Sequence, residues 1–85
     1  MNNYRFSIPD RDTSIFRCDV YDEFGNFRYH REVHIYDKNV SDEINVTVIS
    51  KKMADTLNLT EQDLQVPVRM AILLGESTWS NPSYY

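Results

Sequence analysis

Phe16-Arg17-Cys18-Asp19-Val20-Tyr21 and Phe27-Arg28-Tyr29-His30-Arg31-Glu32-Val33-His34-Ile35, joined by Asp22-Glu23-Phe24-Gly25-Asn26, decide how this chain is read. Apolar and polar side chains alternate with a period of two on both arms, the pattern of half-buried strands. The joint contains Gly25, the one glycine in the first 74 residues. A tight turn needs a residue that takes positive φ without penalty. Residues 14–37 therefore read as a β-hairpin. A two-residue Gly25-Asn26 turn would place Val20 opposite Arg31 and Asp19 opposite Glu32. A four-residue loop, Glu23 to Asn26, places Val20 opposite Tyr29, Arg17 opposite Glu32 and Asp19 opposite His30. The second register pairs opposite charges and is favoured, because like charges across strands repel. Both registers give a core face of Phe16, Cys18, Val20, Phe27, Tyr29, Val33 and Ile35, with Arg31 as its misfit. Both leave Arg17, Tyr21, Arg28, His30, His34 and Tyr36 on the outer face.

Upstream, Tyr4 to Ile8 reads as a short strand closed by Pro9, and Pro9 to Ser14 as a turn. Downstream, Asp37-Lys38-Asn39 is a second turn. Glu43 to Ile49 alternates Ile44, Val46 and Val48 with Asn45 and Thr47, and its β-branched content predicts a strand. Ser50 is placed to cap a short helix over Lys51–Leu59, with Met53, Ala54 and Leu57 toward the sheet. Thr60-Glu61-Gln62-Asp63 resembles a capping box, so a helical turn is expected there. In residues 65–74, Val66, Val68, Met70, Ile72 and Leu74 alternate, which favours a strand. Pro67 in the first turn of a helix ending at Leu74 is the alternative. The expected fold is a single α+β domain over residues 1–74. Its core is a small, mainly antiparallel sheet, the N-terminal hairpin plus one or two further strands, with one short helix. Residues 75–85 form an aromatic C-terminal tail.

The chain has 85 residues and a net charge of −4. A domain of that length buries only roughly 60–65% of its unfolded surface, so its core is thin. The 13% aromatic share supplies much of that core. Residues 1–38 hold seven acids and six bases, and residues 39–85 six and three. Neither half makes the basic patch of a nucleic-acid binder, and a sequence pI near 4.9 argues against one. A lone cysteine excludes an internal disulfide framework. No apolar leader stands at the N-terminus, and the longest apolar run, Met70 to Leu74, is far too short to cross a membrane. A cytoplasmic location is expected, and the three Asn-x-Ser/Thr matches read as chance.

Little in the sequence suggests chemistry. Cys18 falls on the apolar face, away from His30 and His34, so it lacks the base a thiolate nucleophile needs. His30 and His34 lie about 13 Å apart on a strand, too far to share a metal with Asp19. Asp10 with Asp12, and Asp22 with Glu23, are explained as turn residues. Two glycines cannot build a phosphate-cradling loop. No catalytic residue, cofactor or metal is expected. The outer hairpin face is richer, because Tyr, Arg and Trp are enriched at binding hot spots. With Trp79, Tyr84 and Tyr85 of the tail, it is the candidate surface for a protein partner.

Two functional readings follow. In scale and make-up the chain resembles the small accessory proteins of bacteriophages and mobile elements. That likeness implies a non-catalytic protein-binding module, an inhibitor, adaptor or assembly subunit, working in a host cytoplasm. The alternative rests on Val46-Thr47-Val48, Lys51 to Leu59, Thr60-Glu61-Gln62-Asp63 and the return through Val66 and Val68. This stretch resembles the AbrB family of swapped-hairpin DNA-binding regulators, with Lys51, Lys52 and Asp63 at matching positions. The family's proline after the first strand is absent, and Gln62 replaces its turn glycine. The resemblance implies strand, short helix and strand within an intertwined dimer that binds DNA. A thin core and an open strand edge also fit a homodimer.

Overall fold

A computed structural model of the chain describes residues 1–81. Three strands, β1 (Asn3–Ser7), β2 (Ile15–Tyr21) and β3 (Phe27–His34), form an antiparallel meander. Two helices follow, α1 (Asp42–Leu57) and α2 (Glu61–Leu74), and then β4 (Glu76–Ser80), which returns beside β1. The sheet order is β3-β2-β1-β4, antiparallel throughout. The fold is α+β, as expected, but with four strands and two helices among the described residues.

The hairpin register is that of the four-residue loop: Val20 opposite Tyr29, Arg17 opposite Glu32, Asp19 opposite His30. A β-bulge follows Val20, so that Tyr21 faces Phe27 and Arg28 is the extra residue. The bulge reverses the expected side of Phe27. It leaves the core face, stays 55% exposed, and packs edge-on against Tyr21 at 5.8 Å between centroids. A second slip ends β3. Ser14 would pair with Ile35, but its carbonyl accepts the N–H of Tyr36 (3.0 Å). Ile35 therefore turns outward and Tyr36, expected on the outer face, is buried. Arg31 resolves as a residue at the rim of β3. Its guanidinium lies 4.4 Å from the centre of the Tyr29 ring and donates to the His30 carbonyl (2.8 Å).

Residues 43–49 are helical, not a strand. Ser41 caps α1 by accepting the Ile44 N–H, and Asp42 and Glu43 favour the first turn. Asn45, Val46, Ile49, Ser50, Met53, Ala54 and Leu57 are buried, the i, i+1, i+4, i+5 spacing of a helix face. Ser50 is thus a core residue inside α1 rather than a cap. Asn58 ends the helix at φ 57°, its N–H returning to Ala54.

Residues 65–74 are helical too, and the helix starts at Glu61. Leu64, Val68, Ala71 and Ile72 face inward, whereas Val66, Met70, Leu73 and Leu74 remain exposed. Pro67 lies inside this helix and cannot donate to Asp63. Its own carbonyl accepts the Ser77 hydroxyl (2.6 Å). Gly75, at φ 92°, makes the left-handed C-cap from which β4 returns.

Both helices pack on one face of the sheet, α1 over β3 and α2 over β1 and β4. Phe6, Phe16, Val20, Ile49, Met53, Leu64 and Ile72 fill the space between the layers. A row of rings, Trp79, Tyr4, Phe6 and Phe16, crosses from β4 to β2 with centroids 5.4 to 6.4 Å apart. Each such pair adds about 0.5–1.5 kcal/mol beyond burial. Arg11 ties the β1–β2 connection to this core, donating to the Tyr36 hydroxyl (3.2 Å) and to the Ile72 carbonyl in the last turns of α2 (2.6 Å).

Candidate functional site

Both helices lie on one side of the sheet, and among the described residues no element packs on the other face, as is common in antiparallel sheets. Alternation puts the even-numbered residues of β4, Glu76, Thr78 and Ser80, on this face. Asn3, Arg5 and Ser7 lie beside them, then Arg17, Asp19 and Tyr21, then His30, Glu32 and His34. Charges run across it in a chain. Arg5 pairs with Glu76 and approaches Asp19 (3.9 Å), and Arg17 binds Asp19 through Nε (3.0 Å) and a terminal nitrogen (2.9 Å). Arg17 also reaches Glu32 (3.6 Å), which contacts His34 (3.5 Å). The hydrogen bond that Arg17 donates to Asp19 holds the guanidinium firmly protonated, with its pKa raised above the ordinary value. Asp19 itself is buried under the two guanidinium groups.

Of the expected partner-binding residues, Arg17, Tyr21, His30 and His34 do share this face. Arg28 sits in the bulge and donates to Asn2 (2.9 Å). Tyr36 belongs to the core. Trp79 lies on the helix side, tilted against Tyr4 and partly buried. Tyr84 and Tyr85 lie outside the described residues.

The hairpin tip carries what sequence reading passed over. Phe24 is 82% exposed there, beside the Tyr21–Phe27 pair. Its turn is held by Asp22, whose carboxylate accepts the N–H groups of Phe24 (2.9 Å) and Asn26 (2.8 Å) and the Asn26 side-chain amide (3.1 Å). Those donors, chiefly Asn26, hold the Asp22 carboxyl below the ordinary aspartate range. Backbone bonds from Asp22 to Asn26 and from Gly25 to Asp22 close the loop. Gly25 takes φ 84°, where a side chain would be strained. The signal was available: a Phe beside the glycine of a four-residue turn has no core to enter.

Two open hollows flank β1 on the bare face. One of about 360 Å³ lies among Asn3, Arg5, Tyr21, Thr78 and Ser80. The other, about 470 Å³, is bounded by Arg5, Arg17, Asp19 and Glu76, all already engaged in ion pairs. Cys18 faces the core, and burial together with the nearby Asp19 pushes its thiol up to about 12. Among the described residues no group of three or more His, Cys, Asp or Glu is placed to hold a metal. No helix of the described residues is long and apolar enough to cross a membrane. The strand–helix–strand segment implied by the AbrB resemblance is a helical hairpin here, with Val46–Val48 inside α1 and Val66–Val68 inside α2. Comparison with protein-family models, with curated proteins and with solved structures found no match to this chain.

Proposed function

We propose that this protein is a non-catalytic binding module, an inhibitor, adaptor or assembly subunit, that engages a protein partner through the tip and outer face of the β2–β3 hairpin. The observation that carries this reading is Phe24, a large apolar side chain 82% exposed on a turn that five hydrogen bonds hold in one shape. An anchor of this kind has little ordering entropy left to lose on binding, which favours affinity. Phe27 and Tyr21 extend the apolar surface, and the Asp22 and Glu23 carboxylates flank it. The surface fits an apolar pocket with a basic rim.

The test is capture from a lysate of the native host, comparing the wild type with Phe24→Ser and Phe27→Ser. Phe24→Ser replaces an exposed side chain and should leave stability within the range of ordinary surface changes, about ±0.5 kcal/mol, whereas Phe27→Ser also gives up the Tyr21 contact and should cost about 0.5–1.5 kcal/mol with the fold retained. A protein retained by the wild type and lost from both variants supports the reading. Equal retention by all three would refute the hairpin as the contact surface.

A further inference from the structure

The two edges of the sheet are treated differently. On β3 the edge is guarded by the bulge at Arg28 and by Arg31, whose guanidinium occupies the edge-facing carbonyl of His30. On β4, among the described residues, neither a bulge nor a side chain bonded to an edge-facing carbonyl is present. Ile8 donates to Gly75 (3.0 Å) and Asn81 to Asn2 (3.4 Å), which fixes the phase of the β1–β4 ladder. Residues 75, 77, 79 and 81 bond to β1, so Glu76, Thr78 and Ser80 direct both N–H and C=O away from it. Among the described residues no strand pairs with that outer edge.

We propose that a second copy of this chain covers it, with β4 pairing antiparallel to its own symmetry mate about a two-fold axis at Thr78. That register places Thr78 opposite Thr78 and Glu76 opposite Ser80. All six edge-facing N–H groups of the two strands find carbonyls, and no like charges meet. Glu76, the single charge on the strand, stays paired with its own Arg5.

The helix above gives an independent reason. α2 packs on β1 and β4 and exposes Val66, Met70, Leu73 and Leu74 at i, i+4, i+7 and i+8, one contiguous stripe. A helix over the β1–β4 pair lies about half a strand spacing inside the edge. Joining two edges about 4.8 Å apart therefore brings the two α2 axes to roughly 10 Å, the distance at which helices pack. The same two-fold axis that pairs the strands sets the two stripes against each other. The product is an eight-stranded sheet under four helices, with both hairpin tips at its far ends and free to bind.

Sedimentation velocity across a hundredfold range of concentration tests the proposal. The expected species has twice the 10.1 kDa chain mass at high concentration. Thr78→Pro removes an N–H that the monomer's ladder does not use, and Thr78→Lys sets two cations at the axis. Each should convert the dimer to a folded monomer, as should Met70→Glu. Amide exchange gives a second reading: the N–H groups of Glu76, Thr78 and Ser80 should be protected at high concentration and exchange freely on dilution. A monomer at all concentrations overturns the proposal. So does a dimer that survives both Thr78 substitutions, or one whose Glu76, Thr78 and Ser80 amides exchange freely. Should Thr78→Pro unfold the chain, Thr78→Lys and the exchange data decide. Loss of partner capture in the Phe24 variants is independent of each of these outcomes.

Discussion

Asn45 should be one of the most sensitive positions in the chain. It is buried at 1% exposure in the first turn of α1, a place where a bare amide would be costly. Its Oδ1 accepts the Asp37 N–H (3.0 Å) and its Nδ2 donates to the Asp37 carbonyl (2.8 Å). One side chain thus closes both backbone groups of the residue that leads from β3 to α1. Asn45→Ala removes two hydrogen bonds, leaves both Asp37 groups poorly paired and opens a small void. With about 1 kcal/mol net for each bond and a further penalty for the stranded groups, the expected loss is about 2–4 kcal/mol. The whole stability of a domain this size is on the order of 4–13 kcal/mol. At about 4–8 °C per kcal/mol, the midpoint should fall by roughly 8–32 °C. Urea titration followed by Trp79, the sole tryptophan and partly buried against Tyr4, measures it. Asn45→Asp adds a sign. Its carboxylate keeps the acceptor for the Asp37 N–H but faces the Asp37 carbonyl with no proton to donate. Burial should raise that carboxyl's pKa above its unfolded value near 3.9. Protonation then favours the folded state, so this variant should gain stability relative to wild type as pH falls from 7 toward 4. A loss below 1 kcal/mol for Asn45→Ala, or an Asn45→Asp variant with no relative gain in acid, would refute this account of the β3–α1 junction.

Ser50 should behave in the opposite way. Its hydroxyl is fully buried in α1 with no hydrogen-bond partner among the described residues, so Ser50→Ala should be neutral or stabilising, by up to about 1–3 kcal/mol in the same urea titration. Cys18 is 0% exposed on a central strand with its thiol pushed up to about 12, so alkylation at pH 8 should wait on unfolding and accelerate with urea; rapid labelling of the native protein would contradict this. In acid, two depressed carboxyls set the direction. Asp22 is held down by the N–H groups of its turn and Glu43 by Arg69, so each favours the fold above its unfolded pKa and stops doing so as pH falls through its lower folded value. Carboxyl chemical shifts should titrate below the ordinary aspartate and glutamate values at these two positions, and the Phe24 and Asn26 amides should lose protection as Asp22 does.

The hairpin was legible because both registers agreed on Phe16, Cys18, Val20 and Val33, and cross-strand charge chose between them. Its two errors have one cause. An alternating pattern carries its phase only while pairing is regular, and a bulge at Arg28 or a slip at Ser14 moves every later residue to the other face. Phe27, Ile35 and Tyr36 all lie beyond such a slip. The helices were misread for a different reason. Ile44, Val46 and Val48 alternate, but so short a run is also consistent with a helix. The longer series Val46, Ile49, Met53 and Leu57 fits only the helix, and Ser41-Asp42-Glu43 begins it. Tertiary packing overrode the β propensity of single residues. In α2 the alternating set divides in the same way, Val68 and Ile72 inward, Val66, Met70 and Leu74 outward.

That division also changes where a binding surface should be sought. Read as a strand, Val66, Val68, Met70, Ile72 and Leu74 would form one buried face and leave nothing over. Read as a helix, two of them enter the core and three form, with Leu73, a stripe beside the open β4 edge. Within the tail expected at 75–85, Glu76–Ser80 supplies that edge, and Trp79, expected to meet a partner, packs against Tyr4 from the helix side. The outer hairpin residues Arg17, His30 and His34 do share a face, yet Arg17 is bound to Asp19 and Glu32, so its charge is largely spent within the sheet. Large apolar side chains stand exposed at two places on the sheet. Phe24 and Phe27 at one end of the sheet, and the α2 stripe beside β4 at the other, are separated by the full order β3-β2-β1-β4. Surfaces at opposite edges can be used at the same time, one for a second copy and one for a partner. Two identical hairpin tips on one dimer would then bind a repeated or symmetric target with the gain in effective concentration that bivalency gives.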